Sequence, residues 1–139
     1  MSIAFLLHRA EQAYGRLYKR AGIESGYPIL TLPQLAVMQC LRNPKTRVTQ
    51  AQIIKQTGMD RSTVNELVKR LTNRVLVYGT DNNGRGGSHL QPSNEGLRYL
   101  RRSEQCLSAV ERKFINRLPM KDHFPLLGML DKLAGVKDA

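Results

Sequence analysis

Hydrogen-bonding side chains recur on one face of a predicted helix between Asp60 and Arg74. Apolar residues at helical spacing mark its buried side, and they are Val64, Leu67, Val68 and Leu71. The remaining positions are polar, and they include Arg61, Ser62, Thr63, Asn65, Glu66, Lys69 and Arg70. Asparagine can pair with adenine, glutamate can accept from cytosine N4, and basic side chains suit guanine or phosphate. We interpret this face as a candidate reader of bases in a DNA major groove, with a solvated helix face as the alternative.

Glu66 has two interpretations within that face. It can accept a hydrogen bond from a base, or it can pair along the helix with Lys69 or Arg70, three and four residues on. Both spacings place the charged groups side by side on a helix. The sequence leaves these two interpretations open.

Two further groups are predicted to contact DNA. Thr49, Gln50 and Gln52 begin the preceding helix, whose free N–H groups could hold a phosphate. Capping alone would also explain Thr49 and Gln52. Arg85 lies on a glycine-rich tip, from which an arginine can enter a narrow minor groove. Its alternative is an exposed, solubilising charge.

Short capped helices position these groups. An amphipathic helix is predicted from Ile3 to Ala21, ended by Gly22 and Gly26. Capping boxes at 31–34 and 49–52 begin two helices. Gly58 ends the second helix, and Asp60 caps the third, with Ser62 as the alternative cap. Two helices therefore meet across a short turn containing glycine. This is the helix-turn-helix pattern.

A predicted β-hairpin and two helices follow. Residues 75–78 and 88–91 read as its strands around a glycine-rich turn. Ser93 caps a long helix that we expect Pro119 to end, and the last helix begins at Asp122. The last helix is predicted to have a core face of Leu126, Leu127, Leu130 and Leu133. The predicted fold class is mainly α with a small β-hairpin.

Composition narrows the class of protein. The 139 residues suit one domain and carry a net charge of +11. Residues 42–102 hold twelve basic and four acidic residues, a net +8, which indicates a polyanion-binding middle. No apolar stretch approaches membrane-spanning length, and the N-terminus lacks the features of a signal peptide. We therefore expect a cytoplasmic protein with no membrane partner, in which Cys40 and Cys106 are reduced.

Residues 30–100 resemble the MarR (multiple antibiotic resistance regulator) family. The strings that carry the resemblance are LTLPQLAVMQCL, TQAQIIKQTGMDRSTVNELVKRLTNRVLV and SNEGLRYL. The resemblance implies a single domain, 1–139. Within it, residues 31–100 would form a winged helix-turn-helix DNA-binding lobe, and residues 1–21 and 101–139 would form the dimerisation helices. It also implies a sequence-specific regulator of double-stranded DNA, a ligand-responsive repressor that acts as a homodimer on a palindrome. Half-sites would be roughly 10 bp apart.

The family resemblance also implies an effector. Members often bind a small aromatic or phenolic anion between the dimerisation helices and the DNA-binding lobe. The candidate pocket residues here are His8, Arg9, Tyr14, Tyr18, Met38 and Cys40. The peroxide-sensing branch keeps its cysteine in the first helix, which has none here, so redox sensing is not expected. Cys40 lies on an apolar stripe, whereas Cys106 is expected to be partly exposed.

The segment after the recognition helix departs from the family pattern. The family has glycine there, whereas this chain has Val75. Because a β-branched residue is costly at positive φ, the sequence predicts that the helix ends differently, through Asn73.

Other classes of protein fit less well. No nucleophile–base set, paired carboxylates or Cys/His spacing indicates an enzyme, a metal site or a cofactor. The main alternative is a basic RNA-binding or nucleoid-associated module without a small-molecule sensor. Tyr78 and Tyr99 are too isolated in sequence to form the aromatic platform that single strands need.

Overall fold

The computed structural model describes residues 1–80 and 89–135. Its elements run in the order α1 (Ile3–Ser25), α2 (Leu32–Cys40), α3 (Gln50–Thr57), α4 (Arg61–Asn73), β1 (Val77–Thr80), β2 (His89–Pro92), α5 (Asn94–Ile115), a 3₁₀ turn (Met120–Asp122) and α6 (His123–Ala134). The chain divides into two compact units. The central unit is Gly22–Gln105, and the terminal unit comprises residues 1–21 and the chain from Cys106 onward.

Side-chain caps begin the three short helices of the central unit. Thr31 and Thr49 form complete capping boxes with Gln34 and Gln52, as the sequence predicts. Gly58 ends α3 in the left-handed conformation with φ 75°. The three helices pack against one another. Their fully buried side chains make the core of this unit, and they include Leu35, Val37, Met38, Leu41, Ile53, Val64 and Leu71.

Val75 corrects the prediction for the end of α4. Its φ is +58°, so the valine does adopt the left-handed conformation that a β-branched residue was expected to avoid. The Val75 N–H donates to the Thr72 carbonyl and the Leu76 N–H to the Leu71 carbonyl, both at 2.9 Å. This pair of bonds is the Schellman motif. Leu71 and Leu76 are both buried, and their apolar positions flank the turn as that motif favours.

The hairpin begins two residues later than predicted, because Val75 and Leu76 belong to that turn. β1 and β2 pair antiparallel, with Val77 opposite Pro92 and Thr80 opposite His89. The Leu90 N–H also donates to the Val48 carbonyl at 2.7 Å, which ties β2 to the segment before α3.

Ser93 caps α5, as predicted. Its Oγ accepts from the Gly96 N–H at 3.0 Å and donates to the Val75 carbonyl at 2.7 Å. A Cβ on Gly96 would lie 2.1 Å from the Leu76 carbonyl oxygen, so only glycine fits this approach. The helix ends at Ile115, before Pro119, because the chain tightens into i to i+3 hydrogen bonds such as Leu118 N–H to Ile115 O at 3.0 Å.

Gly22 does not end α1, contrary to the prediction. The helix continues to Ser25, and Gly26 with φ 75° follows it. A Cβ on Gly22 would lie 2.5 Å from the Cδ1 of Ile29. The missing side chain therefore makes room for Ile29 rather than breaking the helix.

The terminal unit contains a small polar and aromatic cluster. The Tyr14 hydroxyl donates to Glu111 Oε1 at 3.0 Å, and the rings of Tyr14 and Phe114 meet edge to face at 5.1 Å. Burial, followed by this hydrogen bond, raises the pKa of Tyr14 well above its ordinary value. Tyr14 is therefore held as a neutral donor to the carboxylate.

The four leucines predicted as the core face of α6 are not buried within the chain, contrary to the prediction. Leu126 is half-buried, Leu127, Leu130 and Leu133 are exposed, and Phe124 is 86% exposed. Apolar residues near the start of α1 are exposed as well, namely Ile3, Phe5, Leu6 and Leu7. Both segments have the apolar spacing of an amphipathic helix, but in a single chain these apolar side chains are exposed to solvent.

Candidate nucleic-acid interface

The helix α4 is held by its cap and by one buried stripe. Asp60 Oδ1 accepts from the Thr63 N–H at 2.7 Å, and that hydrogen bond lowers the pKa of Asp60. Val64 and Leu71 are fully buried and Val68 nearly so, against α2 and α3. The stripe and the cap fix the rotation of α4 about its axis, so the opposite face is presented outward.

Every polar residue predicted for that outward face is exposed. These residues are Arg61, Ser62, Thr63, Asn65, Glu66, Lys69 and Arg70, which we call the α4 face. Hydroxyl, amide, carboxylate and cationic groups thus lie together along three turns of one helix. A face of this kind can offer donors and acceptors to base edges and cations to phosphates.

Glu66 forms an ion pair along the helix. Its Oε1 lies 3.3 Å from the Arg70 Nε, and both side chains are more than half exposed. Of the two partners that the sequence left open, the contact is to Arg70 rather than Lys69. An exposed i, i+4 pair is worth only about 0.3–0.5 kcal/mol. Arg70 can therefore exchange this partner for a phosphate or a base at little cost.

The N-terminus of α3 is closed by its capping box. Thr49 Oγ1 accepts from the Gln52 N–H at 3.2 Å, and Gln52 Oε1 accepts from the Thr49 N–H at 2.9 Å. Thr49 and Gln50 are half-buried and Gln52 is exposed. The capping interpretation of Thr49 and Gln52 is therefore correct, and a phosphate contact at this end stays a prediction.

The wing residue predicted to enter the minor groove, Arg85, lies outside the described residues. The hairpin stem beneath it is described. The Tyr78 hydroxyl donates to Gln91 Oε1 at 2.7 Å, and the Thr80 hydroxyl donates to the His89 carbonyl at 3.2 Å. These cross-strand bonds brace the two strands.

The residues predicted for an effector pocket differ in their surroundings. In the terminal unit, His8 and Arg9 are exposed on α1, Tyr14 is half-buried and Tyr18 is buried. In the central unit, Met38 is fully buried and Cys40 is half-buried. Burial raises the pKa of the Cys40 thiol, which favours the unreactive protonated form. Their role as a pocket stays a prediction.

Cys106 is buried, not partly exposed as the sequence suggested. It is 7% exposed, and its Sγ lies 3.7 Å from the Ala21 carbonyl oxygen. A buried thiol is a poor redox sensor because oxidants reach it slowly.

Sequence reasoning missed a cluster of cations on α5. Arg98, Arg101 and Arg102 line an open cavity together with Tyr27 and Gln105. The arginines are spaced i, i+3 and i+4, and this spacing in the sequence already predicts that they lie on one face of the helix. Their approach to Tyr27 depends on how the loop before α2 folds back, and no local pattern predicts that.

Within residues 1–80 and 89–135, none of the helices combines the length and the apolar composition that spanning a bilayer requires. Nor do His, Cys, Asp and Glu side chains gather in that part of the chain into a group of three or more that could hold a metal ion.

Comparison with known proteins supports the resemblance found in the sequence. The sequence model of the MarR family matches residues 30–86, which include α2, α3, α4 and β1. No curated protein matches the sequence. The resemblance to the MarR family is confirmed by the family model together with the solved structures.

Solved structures with the same fold cover almost the whole chain. The PcaV transcriptional regulator from Streptomyces coelicolor, solved with its natural ligand, is 25% identical with a TM-score of 0.85, over 99% of this chain and 95% of its own. BpsR from Bordetella bronchiseptica, whose DNA binding is regulated by 6-hydroxynicotinic acid, is 19% identical with a TM-score of 0.82, over 98% and 95%. CouR from Rhodococcus jostii RHA1, solved with p-coumaroyl-CoA, is 20% identical with a TM-score of 0.78, over 99% and 95%.

Proposed function

We propose that this chain, which resembles the MarR family of winged-helix transcription regulators in sequence and fold, binds a specific double-stranded DNA sequence as a homodimer. It acts as a ligand-responsive repressor on a palindromic site. The two free thiols, Cys40 and Cys106, suit the reducing cytoplasm as its place of action.

The observation that carries the proposal is the α4 face. Its seven polar side chains are all exposed, while the buried stripe on the other side of the helix holds α4 to the core. Asn65 and Ser62 lie in its first half, where recognition helices usually read base edges. Lys69 and Arg70 lie one turn further on, where they can contact phosphate or guanine.

Charge supports nucleic acid as the partner. Residues 42–102 carry a net charge of +8, whereas residues 1–41 and 103–139 carry +2 and +1. A duplex attracts such a surface through release of its condensed counterions. We therefore expect the affinity for DNA to fall steeply as salt is added.

The exposed apolar residues of the terminal unit support a homodimer. Phe124, Leu127 and Leu130 on α6, and Phe5 and Leu7 on α1, are each more than 40% exposed. Soluble monomers rarely leave so many large apolar side chains exposed on two helices. The segments 1–21 and 101–139 are the proposed dimerisation helices, and each dimer would present two α4 faces to two half-sites.

The effector is proposed to be a small aromatic or phenolic anion. The DNA binding of BpsR is regulated by 6-hydroxynicotinic acid, which is an aromatic acid. CouR was solved with p-coumaroyl-CoA, which is the thioester of an aromatic acid. Binding that favours one spacing of the two recognition helices over another would release DNA by a shift of population. His8, Arg9, Tyr14, Tyr18, Met38 and Cys40 remain the residues proposed to bind it.

Selection of bound duplexes from a random pool tests the proposal. We expect the enriched sequences to share an inverted repeat with half-sites about 10 bp apart, because two symmetric α4 faces bind one helical turn apart. The same protein is then challenged with structured RNA as competitor. Enrichment without any shared motif, or RNA competing as well as the selected duplex, would favour the basic RNA-binding or nucleoid-associated alternative.

A further inference from the structure

An open cavity on the outer side of α5 is lined by three arginines. Arg98, Arg101 and Arg102 share it with Tyr27 and Gln105, and its volume is about 310 Å³. All five residues belong to the central unit. Small-molecule sites begin at roughly 300 Å³, so the space suits a compact ligand.

The loop that forms one wall is fixed in place. The Tyr27 N–H donates to Ser25 Oγ at 3.2 Å, which holds the turn at the end of α1. The Leu30 N–H donates to the Oγ of Ser103 at 2.9 Å, and Ser103 is fully buried on α5. These bonds attach the loop to the helix that carries the arginines. The cavity is therefore set before any ligand arrives, which lowers the entropic cost of binding.

Tyr27 also orients one of the arginines. The Arg102 guanidinium lies 4.4 Å from the centre of the Tyr27 ring, a cation–π contact. A cation–π contact uses none of the guanidinium hydrogen-bond donors, so they stay available to a ligand. Planar N–H edges of this kind match carboxylate and phosphate oxygens in pairs.

The positive charge of the cluster is only partly balanced. Glu95 pairs with Arg98, whose Nε lies 2.9 Å from Glu95 Oε2. Across the described parts of the chain, no acidic side chain pairs with Arg101 or Arg102. Arg98 stands three and four residues before these two arginines, and like charges at that spacing destabilise a helix. An anion bound among them would relieve that repulsion.

We propose that this cavity binds a small polyanion carrying phosphate or carboxylate groups, through Arg101 and Arg102. A concave space of this size favours a compact molecule over a nucleic-acid backbone, which needs an extended surface. The site shares no residue with the effector pocket predicted from the family resemblance. It uses no residue of the α4 face, although its three arginines belong to the basic stretch 42–102.

Calorimetric titration of the full chain without DNA tests the site. Pyrophosphate, citrate and monovalent acetate are titrated separately at constant ionic strength. We expect pyrophosphate or citrate to bind and acetate to bind far more weakly. Replacing both arginines, Arg101→Gln with Arg102→Gln, should weaken binding by about tenfold or more, because bidentate charge-assisted hydrogen bonds are lost.

A matched control removes two charges elsewhere on the same helix. Arg112→Gln with Lys113→Gln lowers the net charge equally but lies in the terminal unit, and it should leave the affinity unchanged. Arg102→Lys keeps the charge without the planar edge and should give an intermediate affinity. Melting curves of each variant verify that it is folded.

Three results would overturn the proposal. The first is equal weakening in the two double variants, which means general screening by charge. The second is no binding of either polyanion to the wild-type chain. The third is loss of duplex affinity in Arg101→Gln with Arg102→Gln while polyanion binding is unchanged, which would assign the arginines to DNA. Polyanion binding by a chain that ignores all duplexes would instead leave this site standing and remove the proposed function.

Discussion

Replacing Val75 by glycine should stabilise the protein. Within the described residues, Val75 is the non-glycine residue with positive φ, at 58°. The hydrogen bonds of Val75 to Thr72 and of Leu76 to Leu71 hold it there. A left-handed conformation costs an L-residue roughly 1–2 kcal/mol. A β-branched side chain belongs at the upper end of that range because its Cγ atoms crowd the backbone.

The net gain is smaller than the strain relieved. Val75 is 70% exposed, so removing its side chain gives up little apolar burial. Glycine loses more conformational freedom on folding, which costs about 0.5–1 kcal/mol. With the strain at about 2 kcal/mol, the difference is a stabilisation of about 1–1.5 kcal/mol. For a chain of this size, that corresponds to a rise in Tm of roughly 3–5 °C.

Thermal and urea unfolding at one fixed protein concentration measure the effect, because the proposed dimerisation would make stability depend on concentration. Val75→Thr is the matched control, since it keeps a β-branched side chain at the same φ and should gain nothing. Val75→Asn should fall between the two, because asparagine tolerates the left-handed region better than other residues with a Cβ. A glycine variant no more stable than the threonine variant would refute the assignment of strain to this residue.

Three other changes have definite expected outcomes. Gly96→Ala places a methyl 2.1 Å from the Leu76 carbonyl oxygen and should lower the free energy of urea unfolding by about 1–3 kcal/mol. Thr49→Ala removes the cap of α3 and should cost about 1 kcal/mol in the same assay, whereas Thr49→Ser should cost little. The pKa of Tyr14 is raised, so its contribution to stability is present below the ordinary tyrosine pKa of about 10 and is lost as the pH rises beyond it. Unfolding between pH 9 and 11 should be less pH-dependent in Tyr14→Phe, and an unchanged slope would show that burial and the hydrogen bond to Glu111 do not raise the pKa of Tyr14 in solution.

The beginnings of the helices could be predicted from the sequence, because a cap is made by residues three apart. Thr31, Thr49 and Asp60 each accept the backbone N–H that their spacing predicts. Such signals are local and need no knowledge of the rest of the fold. The exposed position of the α4 face follows in the same way from its apolar stripe.

The ends of the helices could not be predicted as well, because distant contacts decide them. Gly22 continues α1 since Ile29 packs where its side chain would be. Val75 adopts a positive φ, which is strained for valine, because Leu71 and Leu76 are buried on either side of the turn. Local propensity opposes both outcomes, and tertiary packing outweighs it.

The arginine cavity was missed, and the core face expected for α6 within the chain was wrong, for a related reason. Tyr27 meets Arg102 only because the loop before α2 is bonded to α5. The leucines of α6 have the period of a core helix, but periodicity does not say whether the covering surface belongs to the same chain. That distinction depends on assembly, which the proposed homodimer would supply.

The affinity of Asn65→Ala for the duplex selected by the wild-type chain tests the central claim most directly. Asn65 is exposed on α4 and carries no structural hydrogen bond from its side chain to the described residues, so its removal should not unfold the protein. Loss of a bidentate base contact costs about 1–3 kcal/mol of discrimination, and a dimer loses it twice. We predict at least about tenfold weaker binding to the selected duplex, unchanged binding to a scrambled duplex, and wild-type behaviour of Asn116→Ala. Equal affinity of Asn65→Ala and the wild-type chain for the selected duplex, repeated for Lys69→Gln, would contradict the account.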